Sequence, residues 1–161
     1  MLTLVLGAMR SGKSQFLYHK ALESHNAAFV RPKADTRAFL SRGVASVSQN
    51  LIVINEEADL SGYKNLFIDE IHLYAEEFID EILELAWDKN IICAGLLYDY
   101  ANKPFNIIGE IETHRVCQEI KVFYAICEQC GKKKAVYNIG DGSIGDNYLV
   151  LCGQCLDTLK H

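Results

Sequence analysis

Along the first hundred residues the spacing of apolar positions switches repeatedly between strand-like and helix-like. Residues 2–6, Leu-Thr-Leu-Val-Leu, form a short apolar run that breaks at Gly7, which predicts a buried strand. From Lys13 to about Ser24, Phe16, Leu17 and Leu22 recur at near-helical spacing. Residues 27–30 predict the next strand, and the polar stretch 31–37 that follows is a loop, with Pro32 disfavouring helix there. Residues 51–54 and 66–68 predict a third and a fourth strand. Between Ala75 and Lys89, Phe78, Ile79, Ile82, Leu83, Leu85 and Ala86 fall on helical repeats with acids opposite. Asn90 ends that helix, and residues 91–96 predict a fifth strand.

Strands separated by helices predict an α/β fold, a mostly parallel sheet flanked by helices with ligands at the carboxyl ends of its strands. Beyond about Val122 the chain becomes rich in Cys, Gly and Lys. That shift predicts a main domain over residues 1–122 and a small C-terminal lobe over 123–161. There is no internal repeat.

Composition narrows the function classes. Half of the 161 residues are apolar and 23% are charged, a globular balance. The net charge is -5, and Lys132-Lys133-Lys134 is the one basic cluster, so no nucleic-acid partner is expected. No apolar run approaches the length of a membrane span. The apolar N-terminal stretch has no basic region before it and no cleavage site after it, so a cytoplasmic protein is expected. In a reducing compartment six cysteines are not a disulfide framework. Cys93 and Cys117, in apolar surroundings, read as small buried hydrophobes.

Gly7-Ala8-Met9-Arg10-Ser11-Gly12-Lys13-Ser14 matches the phosphate-binding loop G-x-x-x-x-G-K-[ST] at every fixed position, between a predicted strand and a predicted helix. Its glycines let successive backbone N–H groups face one phosphate, and the following helix adds the positive end of its dipole. Lys13 can reach the β- and γ-phosphates, and the Ser14 hydroxyl can ligate Mg²⁺. The fourth strand ends in Asp69-Glu70, where a phosphate-loop fold places its Mg²⁺-binding acid; the neighbouring acid can take a proton from an attacking hydroxyl. Spacing leaves open which acid faces the metal. Adjacent side chains on a strand point to opposite faces, so the chain is expected to turn at these two residues.

Cys127-Glu-Gln-Cys130 and Cys152-Gly-Gln-Cys155 have the spacing of a zinc ribbon. Four thiolates satisfy tetrahedral Zn²⁺ and leave no open position, so the site is expected to be structural. Between the pairs lies a stretch with Gly140, Gly142, Gly145, Tyr137 and Tyr148. It reads either as a loop that folds over a substrate or as a surface hairpin.

Taken in order, the phosphate loop, Asp35-Thr36-Arg37, Asp69-Glu70, Gly95-Leu96 with Lys103-Pro104-Phe105, and the two cysteine pairs resemble the thymidine kinases of the human cytosolic and bacterial type. The similarity covers essentially the whole chain; Met9 inside the loop and the paired knuckles are its most specific parts. The resemblance implies a P-loop domain plus a zinc lobe whose lasso-like loop closes over the nucleoside. It implies ATP-dependent 5′-phosphorylation of thymidine or a closely related pyrimidine deoxynucleoside. On that pattern Glu70 is the general base, while Lys13, Ser14 and Asp69 organise the phosphates and Mg²⁺. Asp35 would lie near the metal through water, and Arg37 near the transferring phosphate. Met9, Leu96, Tyr100, Phe105 and Tyr148 match pocket positions around base and sugar. Family members are commonly tetramers; sedimentation showing only monomer would remove that expectation. The rival readings are a kinase of another or modified pyrimidine nucleoside, and a non-catalytic nucleotide-binding zinc protein.

Three departures fall on the nucleoside side and bear on base or sugar preference. The usual Asp-Glu-x-Gln-Phe-Phe reads Asp69-Glu70-Ile71-His72-Leu73-Tyr74, the usual Gly-Leu-Asp reads Gly95-Leu96-Leu97, and the loop between the knuckles is short for the family. Read from the residue alone, His72 is a structural hydrogen-bonding histidine. In place of Gln it loses an amide that donates and accepts together.

Overall fold

The computed structural model describes residues 1–37, 48–141 and 147–161. The main body runs β1 (Leu2–Gly7), α1 (Lys13–Glu23), β2 (Ala27–Val30), β3 (Val53–Ile54), β4 (Asn65–Ile68), a 3₁₀ turn (Ile71–Leu73), α2 (Glu76–Leu85), β5 (Asn90–Leu96), α3 (Asn106–Thr113) and β6 (Cys117–Phe123). Its six strands form one sheet in the order β3-β2-β4-β5-β1-β6, with every pairing parallel. A parallel sheet brings all carboxyl ends to one edge, so the loops after Gly7, Val30, Ile68 and Leu96 open onto a common rim. β5 lies between β1 and β4. The loops following those two strands are therefore separated by two strand spacings, about 10 Å.

The strand pleat sorts the core. Leu2, Leu4 and Leu6 pack with Ile68, Ile79, Ile82, Ile108 and Ile111 under α2 and α3, whereas Val5 packs with Leu17, Tyr18, Phe29 and Phe67 under α1. Cys93 is fully buried, as a small hydrophobe. Cys117 is only half-buried, because β6 is an edge strand.

Two differences from the sequence reading have simple causes. The second helix ends at Leu85 rather than Lys89, since Trp87 is exposed and the chain must turn into β5 at Asn90. The apolar pattern between Leu97 and Val122 held two further elements: α3 buries only Ile108 and Ile111, and β6 has mostly exposed residues, so neither shows a strong period.

The small lobe comprises β7 (Ala125–Ile126) paired antiparallel with β8 (Lys133–Ala135), β9 (Tyr137–Gly140) paired antiparallel with β10 (Tyr148–Leu151), and α4 (Gly153–Leu159). Gly142 and Gly145 of the inter-knuckle stretch lie outside the described residues. The lobe's core of Ala125, Cys127, Ala135, Val150, Leu151, Cys152 and Cys155 also takes in Ala8, with Met9 and Tyr100 packed against it. It is thereby seated on the phosphate loop.

Candidate active site

The last residue of β1 must be glycine for a steric reason: a Cβ on Gly7 would lie 2.3 Å from the Phe123 carbonyl oxygen of the neighbouring strand. The loop then turns through two left-handed residues, Arg10 at φ 59 and Gly12 at φ 88. Gly12 caps α1 without a side-chain bond, so the first-turn amides of an 11-residue helix face the loop, an arrangement suited to an anion. Lys13 curls back over the loop, its Nζ donating to Ala8 O at 2.5 Å and Ser11 Oγ at 3.2 Å. Burial pushes the Lys13 ammonium below its ordinary range, and the Glu70 and Asp69 charges pull it back up. Such a lysine gains from an incoming phosphate.

The expected turn occurs at Glu70. This residue is left-handed, at φ 54, and its N–H donates to Asp69 Oδ1 at 3.0 Å. The single reversal at the strand end brings both carboxylates within the field of Lys13, which an unbroken strand would not do. Asp69 is buried and pushed up to about 7, first by desolvation and then by the Glu70 charge; the Ser14 hydroxyl donates to it. A buried carboxylate beside a hydroxyl is the all-oxygen donor pair that a hard divalent cation takes.

Asp35 and Arg37 meet in the loop after β2. Arg37 grips Asp35 with two bonds of 2.7 Å, and Arg31 reaches the same carboxylate at 3.1 Å. Burial raises the Asp35 carboxyl, and the two guanidiniums more than offset it, leaving it below the usual carboxylate range. The same Nη2 that bonds Asp35 also lies 3.8 Å from Glu70 Oε1. Asp35 thus holds the guanidinium that faces the proposed base.

The residues expected around base and sugar fall into two groups. Met9, Tyr100 and Tyr148 gather at the lobe, where the Arg10 guanidinium lies 4.8 Å from the Tyr148 ring centroid. Leu96 and Phe105 gather at the sheet rim around His72, whose ring lies 5.0 Å from that of Phe105. His72 Nδ1 accepts the Leu96 N–H at 3.2 Å, and its Nε2 lies 3.3 Å from Glu70 Oε2. Leu73 is half-exposed.

Burial pushes the His72 imidazole down to about 4, against the raising effect of Glu70 and with a smaller lowering from Lys13. It is therefore neutral in the folded protein at pH 7. Because the unfolded histidine titrates near 6.5, the unfolded chain takes up the proton first as pH falls. This contribution to stability is complete above about pH 6.5 and is lost as pH falls towards 4. Urea titrations at pH 7 and pH 5 will show wild type losing about 2 kcal/mol more than His72→Gln. Equal losses would show that His72 is not held neutral by the fold.

Two contacts had no signal in the sequence because they join residues far apart along the chain. Buried Asn138 accepts the Met9 N–H at 2.8 Å, and Arg10 pairs with Glu128 at 2.8 Å. Both tie the phosphate loop to the small lobe. Glu128 also accepts the Val150 N–H, linking the first cysteine knuckle to β10.

The four sulfurs of Cys127, Cys130, Cys152 and Cys155 lie within 4.8 Å of one another. Tetrahedral zinc with bonds near 2.3 Å sets its sulfurs about 3.8 Å apart, and Cys130 and Cys152 stand at 3.9 Å. The Cys152 N–H already donates to Cys127 Sγ at 3.4 Å, a bond that favours the thiolate. The cluster can hold a zinc ion with no position left open.

A family model for thymidine kinase matches residues 1–156. Among curated proteins, the thymidine kinase of Mycoplasma mobile is 31% identical over 143 residues, covering 81% of this chain and 70% of that protein. The thymidine kinase of an African swine fever virus isolate is 29% identical, covering 96% of this chain and 93% of its own length. That of Pyrobaculum aerophilum is 24% identical over 82% of this chain and 78% of its own length. The match takes in the phosphate loop, the turn at Glu70 and the last cysteine alike, and on this ground the chain belongs to the thymidine kinase family, a family of phosphotransferases.

Proposed function

We propose that this chain transfers the γ-phosphoryl group of ATP to the 5′-hydroxyl of thymidine or a closely related pyrimidine deoxynucleoside. The observation that carries the reading is the convergence of Lys13, the Ser14–Asp69 pair, Glu70 and Arg37 on one sheet rim, beneath a lobe that presents Tyr148.

The loop from Gly7 to Ser14 and the first turn of α1 bind the nucleotide phosphates, with Lys13 balancing their charge. Ser14 and Asp69 would hold Mg²⁺, which when bound neutralises charge on the phosphates. Glu70 takes the proton of the attacking hydroxyl, and Arg37, held by Asp35, stabilises charge as the phosphoryl group moves. Met9, Leu96, Tyr100, Phe105 and Tyr148 enclose base and sugar, which favours the nucleoside over water as acceptor. The four cysteines hold structural zinc. None of the described helices is long and apolar enough to cross a membrane, which accords with an enzyme acting on small soluble substrates.

The test is a panel of nucleosides with Mg-ATP, scored for monophosphate product on zinc-replete protein. Thymidine is expected to give most product. Product from a different pyrimidine nucleoside alone would keep the kinase and move its specificity. ATP binding with no product from any nucleoside would overturn the kinase reading.

A further inference from the structure

We propose that His72 is a positioning residue for Glu70, a fixed neutral N–H donor that locks one carboxylate oxygen of the base and leaves the other for the nucleoside hydroxyl. The inference rests on the reading of Glu70 as general base.

One hydrogen bond assigns the histidine's tautomer. Nδ1 faces the Leu96 backbone N–H, which can only donate, so Nδ1 must be the bare nitrogen. The ring proton then sits on Nε2, the nitrogen that lies 3.3 Å from Glu70 Oε2. A backbone amide at the end of a sheet strand thus determines that the nitrogen nearest the base carries the ring proton.

The ring has little freedom to leave this position. Its side chain is only 5% exposed, and Phe105 lies against it. The turn carrying it presses close to β5 at Gly95, where a Cβ would stand 2.6 Å from Ile71 Cγ2 and 3.4 Å from His72 Nδ1. At the other end, the left-handed backbone of Glu70 brings its carboxylate back over the same turn. Burial keeps the imidazole neutral at the pH of catalysis. A neutral donor orients the carboxylate without neutralising it, as an imidazolium would. The other oxygen, Oε1, lies on the side occupied by Arg37. A glutamine in this place can offer an N–H from an amide, so the histidine retains the donor by a different, stiffer group.

The test compares His72→Leu, His72→Asn and His72→Gln, each alone and with Glu70→Gln, by kcat, KM for both substrates, ATP affinity and melting temperature. Leu has no donor, the amide of Asn is too short to replace Nε2, and Gln restores an N–H near that point. His72→Leu and His72→Asn are expected to lower kcat by roughly 10- to 100-fold with KM for ATP little changed, and His72→Gln to recover most of that loss. With Glu70→Gln already present, neither should lower kcat further, because there is no base left to position. A full additional loss in that background, or a His72→Gln as impaired as His72→Leu, would overturn the proposal. Unchanged kcat in Glu70→Gln alone would instead overturn the reading of Glu70. Nitrogen NMR of the wild-type imidazole needs no variant: a bare Nδ1 and protonated Nε2 at pH 7 support the proposal, and the opposite tautomer sinks it.

Discussion

Glu70→Gln will lower kcat by about 10²- to 10⁴-fold, the usual contribution of a positioned general base, and leave ATP affinity nearly intact. Gln keeps the length and branching of Glu and pays no new cost at φ 54, since both side chains are equally disfavoured there. Arg37 keeps its two 2.7 Å bonds to Asp35, which are far closer than its 3.8 Å approach to Glu70. Asp69 loses a neighbouring negative charge that raises it, so the cation site is not weakened. What disappears is the basic lone pair facing the hydroxyl. Single-turnover phosphoryl transfer, measured beside equilibrium ATP binding, separates the two effects. Turnover equal to wild type would mean that another group takes the proton, and the buried Asp69 would be the next to test.

Stripping zinc with a zinc-selective chelator, with Mg²⁺ then restored, will abolish product formation and unfold the small lobe while leaving the main sheet. The lobe has a core of a few side chains and three of the four cysteines. Zinc binding at such sites releases about 10–16 kcal/mol, as much as the whole stability of an ordinary domain. Without the metal, four sulfurs within 4.8 Å have nothing to draw them together. The loss then reaches the reaction through named contacts. Asn138 no longer accepts the Met9 N–H, Glu128 no longer holds Arg10, and Tyr148 and Tyr100 lose the lobe core that seats them. Hydrogen exchange should show protection lost across β7 to β10 and kept in β1, β4 and β5. Cys152→Ser should reproduce the result. Full activity in the metal-free protein would show that the lobe folds without zinc.

The chemistry-bearing segments were legible in the sequence because each is local. The phosphate loop is eight consecutive residues at a strand-to-helix junction, and its glycines and lysine carry their reasons with them. The cysteine pairs announce a four-sulfur site by spacing alone. The buried strands showed as apolar runs, and their carboxyl ends marked the rim where Asp69-Glu70 stands. Even the reversal at Glu70 was expected, since two adjacent acids cannot both serve one site from a straight strand.

The tertiary structure decided everything that depends on residues meeting across the chain. β5 between β1 and β4 sets the gap that Lys13 and Ser14 bridge. Asn138 and Met9 are 129 positions apart and Glu128 and Arg10 are 118 apart, and no periodicity encodes such pairings. His72 read as an ordinary structural histidine; only the strand end at Leu96 on one side and the carboxylate of Glu70 on the other give its two nitrogens distinct tasks. Local patterns fix what a segment can become, because backbone propensity and amphipathic period act over a few residues. Which side chains share a site is set by strand order and lobe packing, which act over the whole chain.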